Sequence, residues 1–151
     1  MKYNDNLSLL LLSGGCGKRA WPIANRELPK QFSIQIEHLS LFQHTYNRFI
    51  SSNLNIDSVI ISSNILYQYL LEFQLINISS QCSHNITNLS QKIFLEPEQK
   101  NTLISSIVAA FSVADKISTT AANSNCSDIM IVSHSDQYIE NIAQFNRDIA
   151  E

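Results

Sequence analysis

The chain has 151 residues, of which 44% are hydrophobic and 15% are charged, and its formal net charge is −3. This length and apolar content predict one globular domain, or part of a larger one, rather than a disordered polypeptide. The slightly acidic balance provides no basic field, so we expect no broad binding to nucleic acid and none to an anionic membrane. No segment approaches the roughly 20 consecutive apolar residues of a membrane span.

The first elements read as strand, loop, helix and strand. The continuous apolar run at 7–12 predicts a central strand that is covered on both faces. The segment 13–30 has little periodicity and is predicted to be a long loop. Apolar residues at helical spacing predict a helix at 39–50, and the run at 57–62 predicts a second strand.

Two longer helices are predicted in the middle of the chain, at 65–75 and at 102–117. Between them, 77–91 is predicted to be a polar surface connection and 92–95 a short strand. Each helix has an apolar stripe that is expected to face the core. The stripe residues are Leu66, Tyr69, Leu70 and Phe73 in the first helix, and Leu103, Ile104, Ile107, Val108, Phe111 and Ala114 in the second.

The last elements are a loop at 119–127, a strand at 129–132 and a helix at 139–149. Strands therefore alternate with helices throughout. This order predicts an α/β fold, a Rossmann-like and mostly parallel sheet with flanking helices and right-handed crossovers. Ligands bind such sheets beyond the carboxyl ends of the strands.

The three glycines of the chain lie within four residues, directly after the first strand, as Gly14, Gly15 and Gly17. Glycine permits positive φ and leaves room beside the main chain, so backbone N–H groups can turn toward an anion. Lys18 and Arg19 follow, and Arg can bind phosphate oxygens in a bidentate way. The pattern favours a nucleotide-phosphate loop, and the alternative is a tight connection with solvated cations.

Two common phosphate-loop patterns do not fit this stretch. The pattern GxxxxGK[ST] fails because Leu12 and Arg19 stand where Gly and Ser or Thr are required. The pattern GxGxxA fits superficially, but it must open a helix and Trp21-Pro22 interrupts one at once.

The stretch GGCGKR at 14–19, followed by Trp21-Pro22 and by PKQF at 29–32, resembles the signature of sugar-phosphate nucleotidyltransferases. Its details are most similar to the mannose-1-phosphate guanylyltransferases. LFQHTYNRF at 41–49, LEPEQKNT at 95–102 and SHSDQYIEN at 133–141 resemble further segments of that family. The resemblance covers 1–151 as the N-terminal, nucleotide-binding half of the family's domain.

The resemblance implies transfer of GMP from GTP to mannose 1-phosphate, with release of pyrophosphate. It implies that Arg19 clamps the departing pyrophosphate and that Lys30 neutralises charge near the α-phosphate. It also implies that Asp136 holds Mg²⁺, a hard cation suited to carboxylate and phosphate oxygens. The nucleotide-binding residues that it implies are Gly14, Gly15, Gly17, Lys18, Glu96, Asn101 and Thr102.

Each carried-over role has a structural alternative. Lys30 could be an ordinary surface cation, Asp136 a residue favoured by a helix dipole, and Glu96 the end of a strand. Asn101 and Thr102 could cap the long helix, a role that is compatible with ligand binding. His134 is expected to be solvated or packed rather than a metal ligand.

Three hypotheses for the whole chain follow. The first is a guanylyltransferase whose missing sugar-binding half and second metal-binding Asp come from a second polypeptide or another copy of the chain. The second is a truncated, non-catalytic fragment that retains at most nucleotide binding. The third is a nucleotidyltransferase for another sugar 1-phosphate, against which Trp21 and Gln31-Phe32 argue. Three scattered cysteines without a disulfide framework predict a cytoplasmic location.

Overall fold

A computed structural model describes residues 7–17, 20–52, 54–81, 90–98, 101–120 and 129–150. Six strands and five α-helices follow one another in this part of the chain. In order they are β1 (Leu7–Leu12), α1 (Lys30–Ser33), β2 (Gln35–Ile36), β3 (Leu39–Ser40), α2 (Leu41–Ile50), β4 (Ile56–Asn64), a short 3-10 helix (Ile65–Tyr67), α3 (Gln68–Gln81), β5 (Ser90–Glu96), α4 (Asn101–Thr120), β6 (Ile129–His134) and α5 (Ile142–Ala150).

The main sheet has four strands in the order β5-β4-β1-β6, and every pairing in it is parallel. All six residues of β1 are buried, as expected for a central strand covered by helices on both faces. In the register, Leu12 lies opposite Ser62 of β4 and His134 of β6. The predicted α/β architecture is therefore confirmed, and the strands end together at one edge of the sheet.

Alternate residues of β1 supply two separate cores. Leu9 and Leu11 face α2, α3 and α5, in a cluster that includes Phe42 and Phe49. Leu10 and Leu12 face the opposite side, together with Ile60 and Ala109. The helices therefore flank the sheet on both sides. No described helix is long and apolar enough to cross a membrane.

The helix predicted from residue 39 begins at Leu41, because Leu39 and Ser40 form an antiparallel hairpin with Gln35 and Ile36. Glu37 and His38 connect these strands with φ of 51° and 68°, the positive values that a tight two-residue hairpin turn requires. Ser40 then caps α2 in a capping box: its Oγ accepts from Gln43 N at 3.1 Å, and its N donates to Gln43 Oε1 at 3.0 Å.

The surface connection predicted at 77–91 is wrong at both of its ends. Helix α3 continues through residue 81, and β5 already begins at Ser90. Ile78 packs in the core with 2% of its surface exposed, which explains why the helix extends beyond the predicted end. Helix α4 likewise covers 119–120 of the predicted loop, and residues 82–89 and 121–127 lie outside the described part of the chain.

Most residues of the predicted apolar stripes of α3 and α4 do not face the core, although Leu70 of α3 packs against it. Tyr69 and Phe73 of α3 are 83% and 60% exposed, and Phe111 of α4 is 68% exposed. Small residues of α4 are turned inward instead, since Ser105 and Ala109 are 3% and 1% exposed. A helix lies closest to a sheet where its side chains are small, so packing determines the rotation of α4 and hydropathy alone does not.

Candidate functional site

The loop after β1 is anchored to neighbouring elements by hydrogen bonds. Ser13 donates twice to the carbonyl of Ser62, from its backbone N at 2.8 Å and from its Oγ at 3.0 Å. Gln31, which is 2% exposed, donates from Nε2 to the carbonyl of Ser13 at 2.6 Å and to that of Gly15 at 2.9 Å. These bonds fix the path of the glycine segment over the edge of the sheet.

Glycine stands at positions 17 and 15 of the loop for different structural reasons. Gly17 has a φ of +63°, and a Cβ there would lie 2.8 Å from the backbone N of Lys30. Only glycine fits that position without strain. A Cβ on Gly15 would meet no atom within 4 Å, so its missing side chain leaves open space beside the backbone.

A cavity of about 500 Å³ opens at the carboxyl ends of all four strands of the main sheet. This is the edge at which parallel α/β sheets bind ligands, and the volume is within the range of small-molecule pockets. Five of the sequence-predicted site residues come together in its wall: Gly14, Gly15, Glu96, Asn101 and Thr102. Leu12, Ser62, Ser105 and His134 complete the lining, and the sequence had not assigned them to the site.

Glu96 is a buried carboxylate in this wall, with 7% of its surface exposed. Its Oε1 accepts a hydrogen bond from Ser62 Oγ at 2.6 Å and another from Ser105 Oγ. A buried charge needs such partners, and hydrogen bonds to an ionised acceptor are stronger than those between neutral groups. The strand-end position predicted for Glu96 is confirmed, since β5 ends there.

Asn101 begins α4 with a φ of +64°, and both Asn101 and Thr102 are exposed where they line the cavity. Asparagine tolerates the left-handed conformation better than most other residues. Backbone N–H groups in the first turn of a helix lack partners within that helix, so this end of α4 presents donors near the cavity.

The structure brings Lys30 and Asp136 together, although the described wall of the cavity contains neither. Lys30 Nζ donates to the carbonyl of Asp136 at 2.9 Å and lies 3.6 Å from its Oδ2. The Asp136 loop is fixed to β1, because Ser135 N and Oγ both donate to the carbonyl of Leu12, at 3.1 and 2.9 Å. The ion pair is partly exposed, so its stabilising contribution is small and both groups can interact with a ligand.

Asp136 fits one carboxylate ligand of a metal ion bound with a nucleotide. Within the described ranges, no group of three or more His, Cys, Asp and Glu residues is placed to hold a metal. Mg²⁺ commonly keeps several waters and binds through one or two carboxylates together with substrate phosphates. This donor set is therefore compatible with Mg²⁺ carried on a triphosphate, and not with a metal held by these residues alone.

Tyr67 is buried beneath the loop, with 4% of its surface exposed, and its ring packs edge-on against Phe32 at 6.4 Å between centroids. Burial raises the pKa of its phenol above 10.0; the charge of Cys16 raises it further, and Arg26 lowers it. Lys18 and Arg19, which the sequence assigns to phosphate binding, lie outside the described residues.

Comparison with known proteins decides the family. A family model described as "Nucleotidyl transferase" matches residues 8–150. The chain belongs to the nucleotidyl transferase family. The resemblance inferred from its motifs is thereby confirmed.

Several relatives of this chain carry more specific names. It is 29% identical over 136 residues to the Escherichia coli "Mannose-1-phosphate guanylyltransferase", a match that covers 90% of this chain and 26% of that protein. It is 27% identical over 141 residues to the "Alginate biosynthesis protein AlgA" of Pseudomonas fluorescens, covering 93% of this chain and 26% of that protein. The chain thus spans about a quarter of the length of these curated relatives.

A solved structure shares the fold of this chain. It is the Thermus thermophilus protein described as "mannose-1-phosphate geranyltransferase", with a TM-score of 0.69 and 16% sequence identity. The superposition covers 96% of this chain and 36% of the other. At this identity the likeness shows the fold alone.

Proposed function

We propose that this nucleotidyl transferase transfers GMP from GTP to mannose 1-phosphate, giving GDP-mannose and pyrophosphate. The observation that carries the proposal is the cavity at the carboxyl ends of the strands, where Gly14 and the open backbone of Gly15 share one wall with Glu96, Asn101 and Thr102. The name of the Escherichia coli relative supports guanine as the base and mannose 1-phosphate as the acceptor.

In this proposal the triphosphate lies along the glycine loop, and the base extends toward Glu96 and the start of α4. An oxygen of the sugar phosphate attacks the α-phosphorus, and the bond from that phosphorus to the pyrophosphate oxygen breaks. Catalysis then depends on positioning and on charge neutralisation, because no covalent protein intermediate is needed. Arg19 and Lys18 keep the phosphate-binding roles that the family resemblance implies.

Lys30 and Asp136 act together in the same proposal. Lys30 neutralises charge near the α-phosphate, and Asp136 supplies one carboxylate to Mg²⁺ bound on the triphosphate. When bound, the ion would neutralise negative charge on the phosphate oxygens. Lys30 Nζ lies 2.9 Å from the carbonyl oxygen of Asp136 and 3.6 Å from its Oδ2, so both residues lie at one point of the sheet edge.

The proposal is tested first by calorimetric titration of the protein with GTP and Mg²⁺. Lys30→Ala is expected to weaken binding by about tenfold, because a hydrogen bond to a charged group contributes about 1.5–3 kcal/mol. Lys92→Ala is the matched control: Lys92 is an exposed lysine of β5, four residues before Glu96. Equal affinity in the original protein and in Lys30→Ala would contradict the role of this lysine.

Product formation is measured next, by chromatography of GDP-mannose after incubation with GTP, mannose 1-phosphate and Mg²⁺. GDP-mannose above the Lys30→Ala background supports transfer. GTP binding without product would favour nucleotide binding alone as the activity of this chain. No binding of GTP by folded protein would overturn the proposal.

A further inference from the structure

The buried cluster formed by Ser62, Glu96 and Ser105 has a geometry that the proposed transfer does not itself require. Both serine hydroxyls donate to the same carboxylate oxygen, Oε1, although they come from β4 and from α4. All three residues are at least nine-tenths buried, with exposed fractions of 2%, 7% and 3%. All three also line the cavity.

Two hydroxyls on one oxygen restrict the rotation of the carboxylate. A carboxylate offers about four lone-pair sites, two on each oxygen, and the two serines use those of Oε1. Neither of these two bonds involves Oε2. The two serines therefore leave Oε2 able to accept N–H groups from a molecule in the cavity.

We propose that Ser62 and Ser105 are positioning residues that orient Glu96 to accept the two adjacent N–H donors of a guanine base, and that they thereby set the preference for guanine. This inference rests on the proposed binding of GTP. Guanine presents N1–H and the N2 amino group side by side, whereas adenine presents an acceptor at N1 beside its amino group. The acceptor at N1 of adenine would be repelled by the Glu96 carboxylate, which would also be left without a donor. Both effects lower the affinity for adenine relative to guanine.

Orientation matters more for two hydrogen bonds than for one. Accepting both N1–H and the N2 amino group requires Oε2 to lie in the plane of the base and between the two N–H directions, whereas a single N–H tolerates displacement of that oxygen. Inosine triphosphate has N1–H but lacks the amino group at position 2. Loss of a serine hydroxyl should therefore weaken GTP more than inosine triphosphate.

The experiment measures the dissociation constants of GTP and of inosine triphosphate, each with Mg²⁺, for the original protein, Ser105→Ala and Ser62→Ala. We expect each variant to bind GTP about tenfold more weakly and inosine triphosphate less than about threefold more weakly, so that the preference for GTP falls. Alanine is a strong helix former, so Ser105→Ala leaves α4 able to form. The two variants test the same carboxylate from two different elements.

Ser106→Ala is the matched control. Ser106 is the next residue of α4, and its Oγ donates to the carbonyl of Thr102 at 2.8 Å, away from Glu96. It should keep the original ratio of the two dissociation constants. A purely structural role for Ser62 and Ser105 would weaken both nucleotides equally, and that unchanged ratio would overturn this inference while leaving GTP binding intact. Failure of the original protein to bind either nucleotide would overturn the proposed function as well.

Discussion

Substitutions of Gly17 and of Gly15 by alanine test separately the stability of the loop and its contact with a ligand. Gly17 has a φ of +63°, and an added Cβ would lie 2.8 Å from Lys30 N. The left-handed conformation costs a residue with a Cβ about 1–2 kcal/mol. Overpacking against a backbone atom adds about 1–3 kcal/mol. Gly17→Ala should therefore lower the free energy of unfolding by about 2–5 kcal/mol.

Gly15→Ala is the matched substitution. Since a Cβ there meets no atom within 4 Å, the free energy of unfolding should stay the same or rise by about 0.4–1 kcal/mol. Gly15 nevertheless lines the cavity, so the added methyl group should hinder a phosphate from approaching the backbone and weaken nucleotide binding.

Urea denaturation followed by circular dichroism gives the two unfolding free energies, and calorimetric titration with GTP and Mg²⁺ gives the affinities. A Gly17→Ala protein as stable as the original would refute the argument from strain. A Gly15→Ala protein with unchanged affinity would refute the role of the glycine loop in phosphate binding, whatever its stability.

Three further substitutions test the support of the site. Gln31→Met keeps the side-chain volume and removes both hydrogen bonds to the loop, so it should cost about 1–3 kcal/mol in urea denaturation; a loss below about 0.5 kcal/mol would contradict the anchoring role. Phe42→Ala removes a side chain with 0% exposure from the larger core and should cost about 3–5 kcal/mol in the same assay. A clearly smaller loss would contradict this expectation and would mean that the core collapses around the gap. The raised pKa of Tyr67 means that its phenol holds its proton more tightly in the folded state, so its contribution to stability is complete below pH about 10 and is lost as the pH rises through the folded pKa. Tyr67→Phe should reduce this alkaline loss in urea titrations above pH about 10, and the exposed Tyr69→Phe should not; equal behaviour would contradict the shift.

The order of the large elements could be predicted because each depends on local information. The run at 7–12 is apolar at both alternating faces except for Ser8, and α2 has its apolar residues at helical spacing. The hairpin at 35–40 could not be predicted, because two-residue strands carry no detectable period. The orientation of α4 was mispredicted because it follows from the packing of Ala109 with Leu10 and Leu12 and from the bond between Ser105 and Glu96. The helical period of α4 contains neither contact.

Much of the candidate site could be predicted from topology and motifs. Gly14, Gly15 and Glu96 follow or end strands, and a parallel sheet brings such positions to one edge. Gln31 was visible only as part of a motif, and its role depends on a partner 18 positions away in the sequence. Ser62 meets Glu96 across 34 positions, and no local pattern signals a serine that turns toward a carboxylate.

The position of β1 between β4 and β6 has a consequence for how the cavity forms. The contact between Leu12 and Ser135 closes a loop of 123 positions, so it requires nearly the whole chain to be in place. Closing long loops is entropically costly, and sheets with many non-local pairings fold slowly. The edge of the cavity that contains His134 should therefore assemble late, after β1 has paired with β4. A nucleotide that touches both sides would bind only the completed sheet, and by mass action it would pull the last folding step toward completion.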